Sequence, residues 1–149
     1  MYDHILISTD GSEVAQKGID HGLKLAKALG GRVTIITVTD RFPVYPSGVG
    51  IEYASTGSLM ADYAKGQTES ANAILAAAKQ AADQLGVPAE TVHVPNAQPA
   101  EAIVEAAKAR NCSLIAMASH GRRGLGRLIL GSQTAEVVSN SPVPVLVVR

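Results

Sequence analysis

Met117-Ala118-Ser119-His120-Gly121-Arg122-Arg123-Gly124-Leu125-Gly126-Arg127-Leu128-Ile129-Leu130-Gly131-Ser132 follows the apolar, strand-like run Leu114 to Met117 and leads into a helix-like run, Thr134 to Val138. A strand that opens through a glycine-rich, arginine-bearing turn into a helix presents backbone N–H groups and a positive dipole end to whatever sits there. That environment suits a phosphate. The glycines let backbone approach a ligand closely, and Arg122, Arg123 and Arg127 add positive charge at the rim.

The same alternation continues outward in both directions. His4 to Thr9 is a β-branched and apolar run that ends at Asp10-Gly11-Ser12, residues suited to a turn and a helix N-cap. Ala15, Ile19, Gly22, Leu23 and Ala26 then recur at helical spacing, and Gly30-Gly31 supplies the stop. Val33 to Val38 predicts a second strand, followed by a long loop from Thr39 to about Ser58 that carries Pro43, Pro46, Gly48, Gly50 and Gly57. Loops of this length are uncommon unless functional or disordered, so this one reads either as a lid or as a mobile surface segment. Leu59 to Leu85 predicts a helix with Ala64, Ala71, Ile74, Ala78 and Leu85 on its buried stripe. Thr91 to Val94 is short and half polar, as suits an edge strand. Pro99 fits the first position of a helix whose buried stripe is Ala100, Ile103, Val104 and Ala107. Ser113 to Ala118 is the fourth strand and Val145 to Val148 the fifth. Short apolar strands alternating with amphipathic helices predict βαβ units around a parallel sheet, in one domain over residues 1–149 with no internal repeat and no linker.

Composition narrows the function classes. The 149 residues are about one ordinary domain, and lysine plus arginine, 13, equals aspartate plus glutamate, 13, so no overall charge draws the chain to nucleic acid or membrane. The single cysteine, Cys112, builds no internal disulfide, and no basic-then-apolar leader precedes Ile5, so a reducing cytoplasmic setting is expected. No apolar run approaches the roughly 20 residues that cross a bilayer. Aromatic residues are too few for base-stacking platforms.

Gly121, nine further residues and then Gly131-Ser132 form the later part of a signature that resembles G-x-x-G-(nine residues)-G-[ST], the nucleotide-binding signature of the universal stress proteins. Its first glycine falls on Ala118. The opening Ile5 to Ser12 and the closing Pro142 to Val148 are also similar to that family, and the resemblance covers essentially the whole chain. It implies a five-stranded parallel sheet of order 3-2-1-4-5 with helices on both faces, of the adenine nucleotide alpha hydrolase-like, Rossmann-related kind. Ligands of such sheets lie beyond the carboxyl ends of the strands where strand order reverses, here between the first and fourth strands. The resemblance further implies that ATP, or AMP or another adenine nucleotide, binds there with Mg²⁺. Asp10 would lie near ribose and phosphates beside Ser8 and Thr9, and Val38 and the Met117 backbone near adenine. Ala118, His120, Gly121 and Arg122 would flank ribose and phosphate, and Gly131, Ser132, Gln133 and Thr134 would hold phosphates at the helix start. The expected role is a stress-response sensor or switch with at most slow ATP hydrolysis. A dimeric interaction protein with a vestigial site, and a slow ATPase, stand as alternatives.

Other motifs fail. Gly121 to Leu128 has the two glycines of a P-loop, but Arg127 replaces its lysine and Leu128 its metal-binding hydroxyl. Gly124-Leu125-Gly126 lacks the third glycine of a dinucleotide fingerprint. Ser119 and His120 are expected to point apart on an extended backbone. Asp10-Gly11-Ser12 reads equally as a turn with an N-cap and as a ligand contact, and His4, His21 and His93 as surface or edge residues. At Ala118 two effects are open: strain if a positive φ is needed, or a methyl group pressing on the ribose. Pro142 and Pro144 place the last strand at a sheet edge, and pairing of Val143 to Val148 with a second copy, which the resemblance also implies, would cover its apolar run.

Overall fold

Strands and helices alternate along the chain as β1 (His4–Ser8), α1 (Glu13–Leu29), β2 (Arg32–Val38), α2 (Tyr53–Leu85), β3 (Ala89–Val94), α3 (Pro99–Ala109), β4 (Leu114–Ala118), α4 (Ser132–Asn140) and β5 (Val145–Val148). The computed structural model describes residues 1–41, 53–121 and 130–149, with α2 side chains from residue 57 onward. Its five strands form one parallel sheet, as the residue pattern predicts, in the order β3-β2-β1-β4-β5 that the resemblance implies.

Strand alternation sorts the apolar side chains onto two faces. Ile5, Ile7, Val33, Ile35, Leu114 and Ala116 meet α1 and α2 on one face through Ile19, Leu23, Ala26, Leu75, Ala78 and Ala82. Leu6, Ile36, Ile115 and Met117 meet α3 and α4 on the other through Ala100, Ile103, Val104, Ala107 and Val137. Coverage on both sides explains why β1, β2 and β4 read as unbroken apolar runs. Ser12 caps α1 by accepting the Ala15 N–H at 3.2 Å, and Gly30, at φ +66°, ends it.

Three expectations need correcting. Helix α2 begins at Tyr53, inside the predicted loop, and β3 begins at Ala89 rather than Thr91. The rest of that loop, residues 42–52, lies outside the described residues. The buried stripe of α2 is Ala71, Leu75, Ala78 and Ala82, whereas Ala64 is exposed and Ile74 and Leu85 are half-buried. At 33 residues α2 is about 50 Å long, against about 23 Å for the 7-residue β2. Its first half has no sheet to lie on. From residue 57 to 70 none of its residues is buried, and Leu59 and Met60 stand 55% and 47% exposed.

The third correction is His4, which is 5% exposed rather than on the surface. Its Nε2 lies 2.8 Å from Thr34 Oγ1, and its Nδ1 is the buried side-chain nitrogen without a hydrogen-bond partner among the described residues. Burial pushes its pKa below the ordinary 6.5, and the nearby Arg32 charge pushes the same way. The unfolded chain therefore binds the proton first as pH falls. Stability is full above about pH 6.5 and declines below it, by at most about 1.4 kcal/mol per pH unit, until the folded-state pKa is reached. Urea unfolding at pH 7.5 and 5.5 is expected to show this slope in the parent and a flatter one in His4→Gln; equal slopes would refute it.

The sheet ends in β3 on one side and β5 on the other. Ile115 N–H donates to Pro144 O at 3.0 Å and Ser119 N–H to Val148 O at 2.7 Å, so Pro144, Leu146 and Val148 turn their backbone groups toward β4. By alternation, the N–H and C=O of Val145 and Val147 point outward from the edge. Among the described residues no further strand covers them, and none of the helices is long and apolar enough to cross a membrane.

Candidate functional site

Helix α1 leaves β1 toward one face of the sheet and α4 follows β4 on the other, so strand order reverses between these two strand ends, where sheets of this kind open a crevice. On the β1 side, Ser8 closes the strand and Thr9 is buried. Thr9 N–H donates to Ile36 O at 3.0 Å, Thr9 O accepts from Thr37 Oγ1 at 3.0 Å, and Thr9 Oγ1 accepts from Gly11 N–H at 3.2 Å. These bonds lock the exit from β1 to the end of β2, where Val38 is half-buried against the second core cluster. Asp10 turns back on itself, with Oδ1 accepting the Ser12 N–H at 2.9 Å. Asp10-Gly11-Ser12 thus forms the turn and N-cap of α1, with the Asp10 carboxylate at the exit from β1.

On the β4 side, Met117 is buried in the second core cluster and Ala118 ends the strand. Ala118 lies within regular strand and is not among the residues with positive φ, so the expected strain there is absent. Its methyl is buried on the same face as that of Ala116, beneath α1. Where the chain bends at Ser119 the side-chain alternation ends, and Ser119 Oγ lies 3.0 Å from His120 Nδ1. The two do not point apart as expected. Gly121 comes next, and a Cβ placed on it would fall 2.6 Å from Asp10 Oδ2. A side chain at residue 121 would push the Asp10 carboxylate aside, whereas glycine lets the two lie in contact.

The return from the glycine-rich segment is tied to the same point. Gly131 N–H donates to Ser119 O at 2.8 Å, which seats the start of α4 on the end of β4, and a Cβ on Gly131 would lie 3.1 Å from His120 Cα. Gly131 is the N-cap of α4 and makes no side-chain capping bond, and Ser132 is exposed. Among the described residues no side chain caps the first-turn amides, a place where helices take anions. Thr134 is buried and its hydroxyl donates to Ala118 O at 3.0 Å, a second tie between α4 and β4. Gln133 turns the other way: its Oε1 accepts the Ala100 N–H of α3 at 3.0 Å, so it faces the crevice through its backbone alone. Arg122, with Arg123 and Arg127, lies outside the described residues.

Sequence reasoning missed Ser119 as a partner of His120 and Thr37 as the buried tie on Thr9. The signal for Ser119 was its place just past the last paired strand residue, where period-2 alternation no longer holds. Among the described residues no group of three or more His, Cys, Asp or Glu side chains converges to hold a metal.

The model of the universal stress protein family matches residues 1–149. Universal stress protein MJ0531 of Methanocaldococcus jannaschii is 34% identical over 149 residues, spanning 100% of this chain and 83% of that protein. The solved structure of MJ0577, from the same organism, is 30% identical with a TM-score of 0.80, covering 99% of this chain and 96% of that one. A universal stress protein solved in complex with cAMP has the same fold, at 24% identity and a TM-score of 0.69, covering 99% and 97% of the two chains.

Proposed function

Because the chain belongs to the universal stress protein family, we propose that it binds an adenine nucleotide, ATP foremost, in the crevice between β1 and β4 and serves as a cytoplasmic stress-response sensor or switch. The observation that carries this is the contact of Gly121 with the Asp10 carboxylate close to the glycine N-cap of α4, since it brings close-approach backbone, a carboxylate and a helix start to one place. A relative that holds cAMP on the same fold is in keeping with it. In this proposal Asp10, with Ser8 and Thr9, lies by ribose and phosphates; Val38 and the Met117 backbone lie by adenine; Ala118, His120, Gly121 and Arg122 flank ribose and phosphate. The amides of Ser132 and Gln133 take the phosphates, with Gly131 leaving room for them and Thr134 holding that helix end against β4. Magnesium would be held by phosphate oxygens and water, which suits an ion that keeps most of its own hydration and needs few protein groups.

Mass spectrometry of gently purified protein is expected to find retained adenine nucleotide, and calorimetry with ATP, ADP, AMP and cAMP, with and without magnesium, to give micromolar affinity for at least ATP. No retained nucleotide and no binding heat from any of the four would overturn the proposal.

Ala118 bears on affinity less than its place in the signature implies. With ordinary strand geometry and a buried methyl, Ala118→Gly relieves no strain. It is expected to change ATP affinity by less than about threefold, and to lower stability by about 0.5–1 kcal/mol through the greater freedom of glycine in the unfolded chain. Calorimetry and urea unfolding of the variant check the two halves, and a tenfold gain in affinity would restore the importance of the missing glycine.

A further inference from the structure

Ser119 has all of its polar groups engaged. Its N–H donates to Val148 O at 2.7 Å, its C=O accepts from Gly131 N–H at 2.8 Å, and its hydroxyl lies 3.0 Å from His120 Nδ1. The residue is buried, while His120 is half-buried. A buried hydroxyl has one proton to place and needs an acceptor for it. Among the described residues the acceptor bonded to it is Nδ1. A proton on Nδ1 would make the hydroxyl the acceptor and leave its own hydrogen without a partner among the described residues. The lone pair therefore belongs on Nδ1 and the ring proton on Nε2, on the edge of the imidazole turned away from Ser119. His120 Cα and Cβ lie against Gly131, at 3.1 and 3.2 Å from where its Cβ would be, so the side chain of His120 starts beside the N-cap of α4.

We propose that Ser119 is a positioning residue that holds His120 as the neutral Nε2–H tautomer, so that the mouth of the crevice offers a fixed imidazole N–H beside the α4 amides, and that a phosphate oxygen of the bound nucleotide accepts it. The ligand rests on the nucleotide proposal above; the tautomer does not. A neutral donor of fixed direction selects an acceptor oxygen by geometry, which a flexible arginine does not.

Nitrogen-15 NMR of the ligand-free protein near pH 8 reads the tautomer directly. The parent is expected to show His120 with a protonated Nε2 and a bare Nδ1, and Ser119→Ala to show a mixture of tautomers with cooperative unfolding retained. A proton on Nδ1 in the parent, or an unchanged tautomer in Ser119→Ala, overturns the positioning role. Calorimetry with ATP and magnesium then reads the ligand. Ser119→Ala and His120→Ala are expected to weaken binding about tenfold. Ser119→Thr, which keeps the hydroxyl, and His120→Gln, whose amide can stand in for Nε2–H, are expected to recover most of it. If the parent binds ATP and His120→Ala binds equally well, the phosphate contact is wrong. If the parent binds no adenine nucleotide, the nucleotide proposal and the ligand half fall together, and the NMR result alone decides the role of Ser119.

Discussion

Gly131→Val is expected to reduce ATP affinity at least a hundredfold, about 2.7 kcal/mol, and so to abolish measurable binding while the protein still unfolds cooperatively. The first carbon of any side chain at residue 131 would stand 3.1 Å from His120 Cα and 3.2 Å from His120 Cβ, tighter than most packing contacts, and 3.4 Å from Ser119 O, so the neighbours must already give by a few tenths of an ångström. Valine adds two methyl groups beyond that carbon. The start of α4 has to swing off the end of β4, lengthening the 2.8 Å bond from Gly131 N–H to Ser119 O and turning the first-turn amides away from the crevice. The sheet and both core clusters lie below this point, so far-UV circular dichroism and urea unfolding are expected to change little. Gly131→Ala is expected to give an intermediate loss. Calorimetry that finds Gly131→Val within threefold of the parent would remove the helix start from the binding site.

Val147→Pro is expected to convert a native dimer into a monomer at micromolar concentration, read by analytical ultracentrifugation. We propose the dimer because β5 presents the apolar run Val145 to Val148 at an open edge, and pairing with a second copy satisfies the outward groups of Val145 and Val147. Proline at residue 147 deletes one outward donor and places a ring in the partner's path, yet removes no bond to β4. Leu146→Glu is a blunter tool, because Leu146 packs against the chain's own first core cluster and a charge there also costs folding energy. A parent that sediments as a monomer, or a Val147→Pro protein that associates as tightly as the parent, would rule out the edge-paired dimer.

How far the sequence is legible depends on what each residue answers to. The sheet and its helices follow from side-chain period and from stops such as Gly30 and Pro99, which are local properties, and the strand order followed from resemblance. Burial is not local. Ala64 continues the apolar stripe of α2 as well as Ala71 does, but one lies over the sheet and the other beyond it, and no pattern within the helix says where the sheet stops. His4 reads as a polar residue opening a strand, and only its pairing with Thr34 on the neighbouring strand shows why it can be buried. In the candidate site, the convergence of the β1 and β4 loops was legible from topology, while the contact between Ser119 and His120 depended on a bend of one residue. Gln133 was expected at the phosphates from its place in the motif, and its side chain instead serves the start of α3, a partner 33 residues away in sequence.

Helix α2 joins two segments of very different local stability. Residues 71–85 open only when the sheet-facing core opens, so their amides are expected to exchange hydrogen for deuterium at close to the global unfolding rate. Residues 57–70 include no buried residue, and Gly57 and Gly66 sit there with open space where a Cβ would be, each costing up to about 1 kcal/mol relative to alanine. A stretch that long is marginal without a surface to pack on, so it frays independently and its amides exchange orders of magnitude faster than those of the second half. Gly66→Ala, which fills only solvent, is expected to slow exchange across residues 57–70 and leave the second half unchanged. A sharp boundary in protection is therefore expected near Ala71, the first buried residue among those described in the helix.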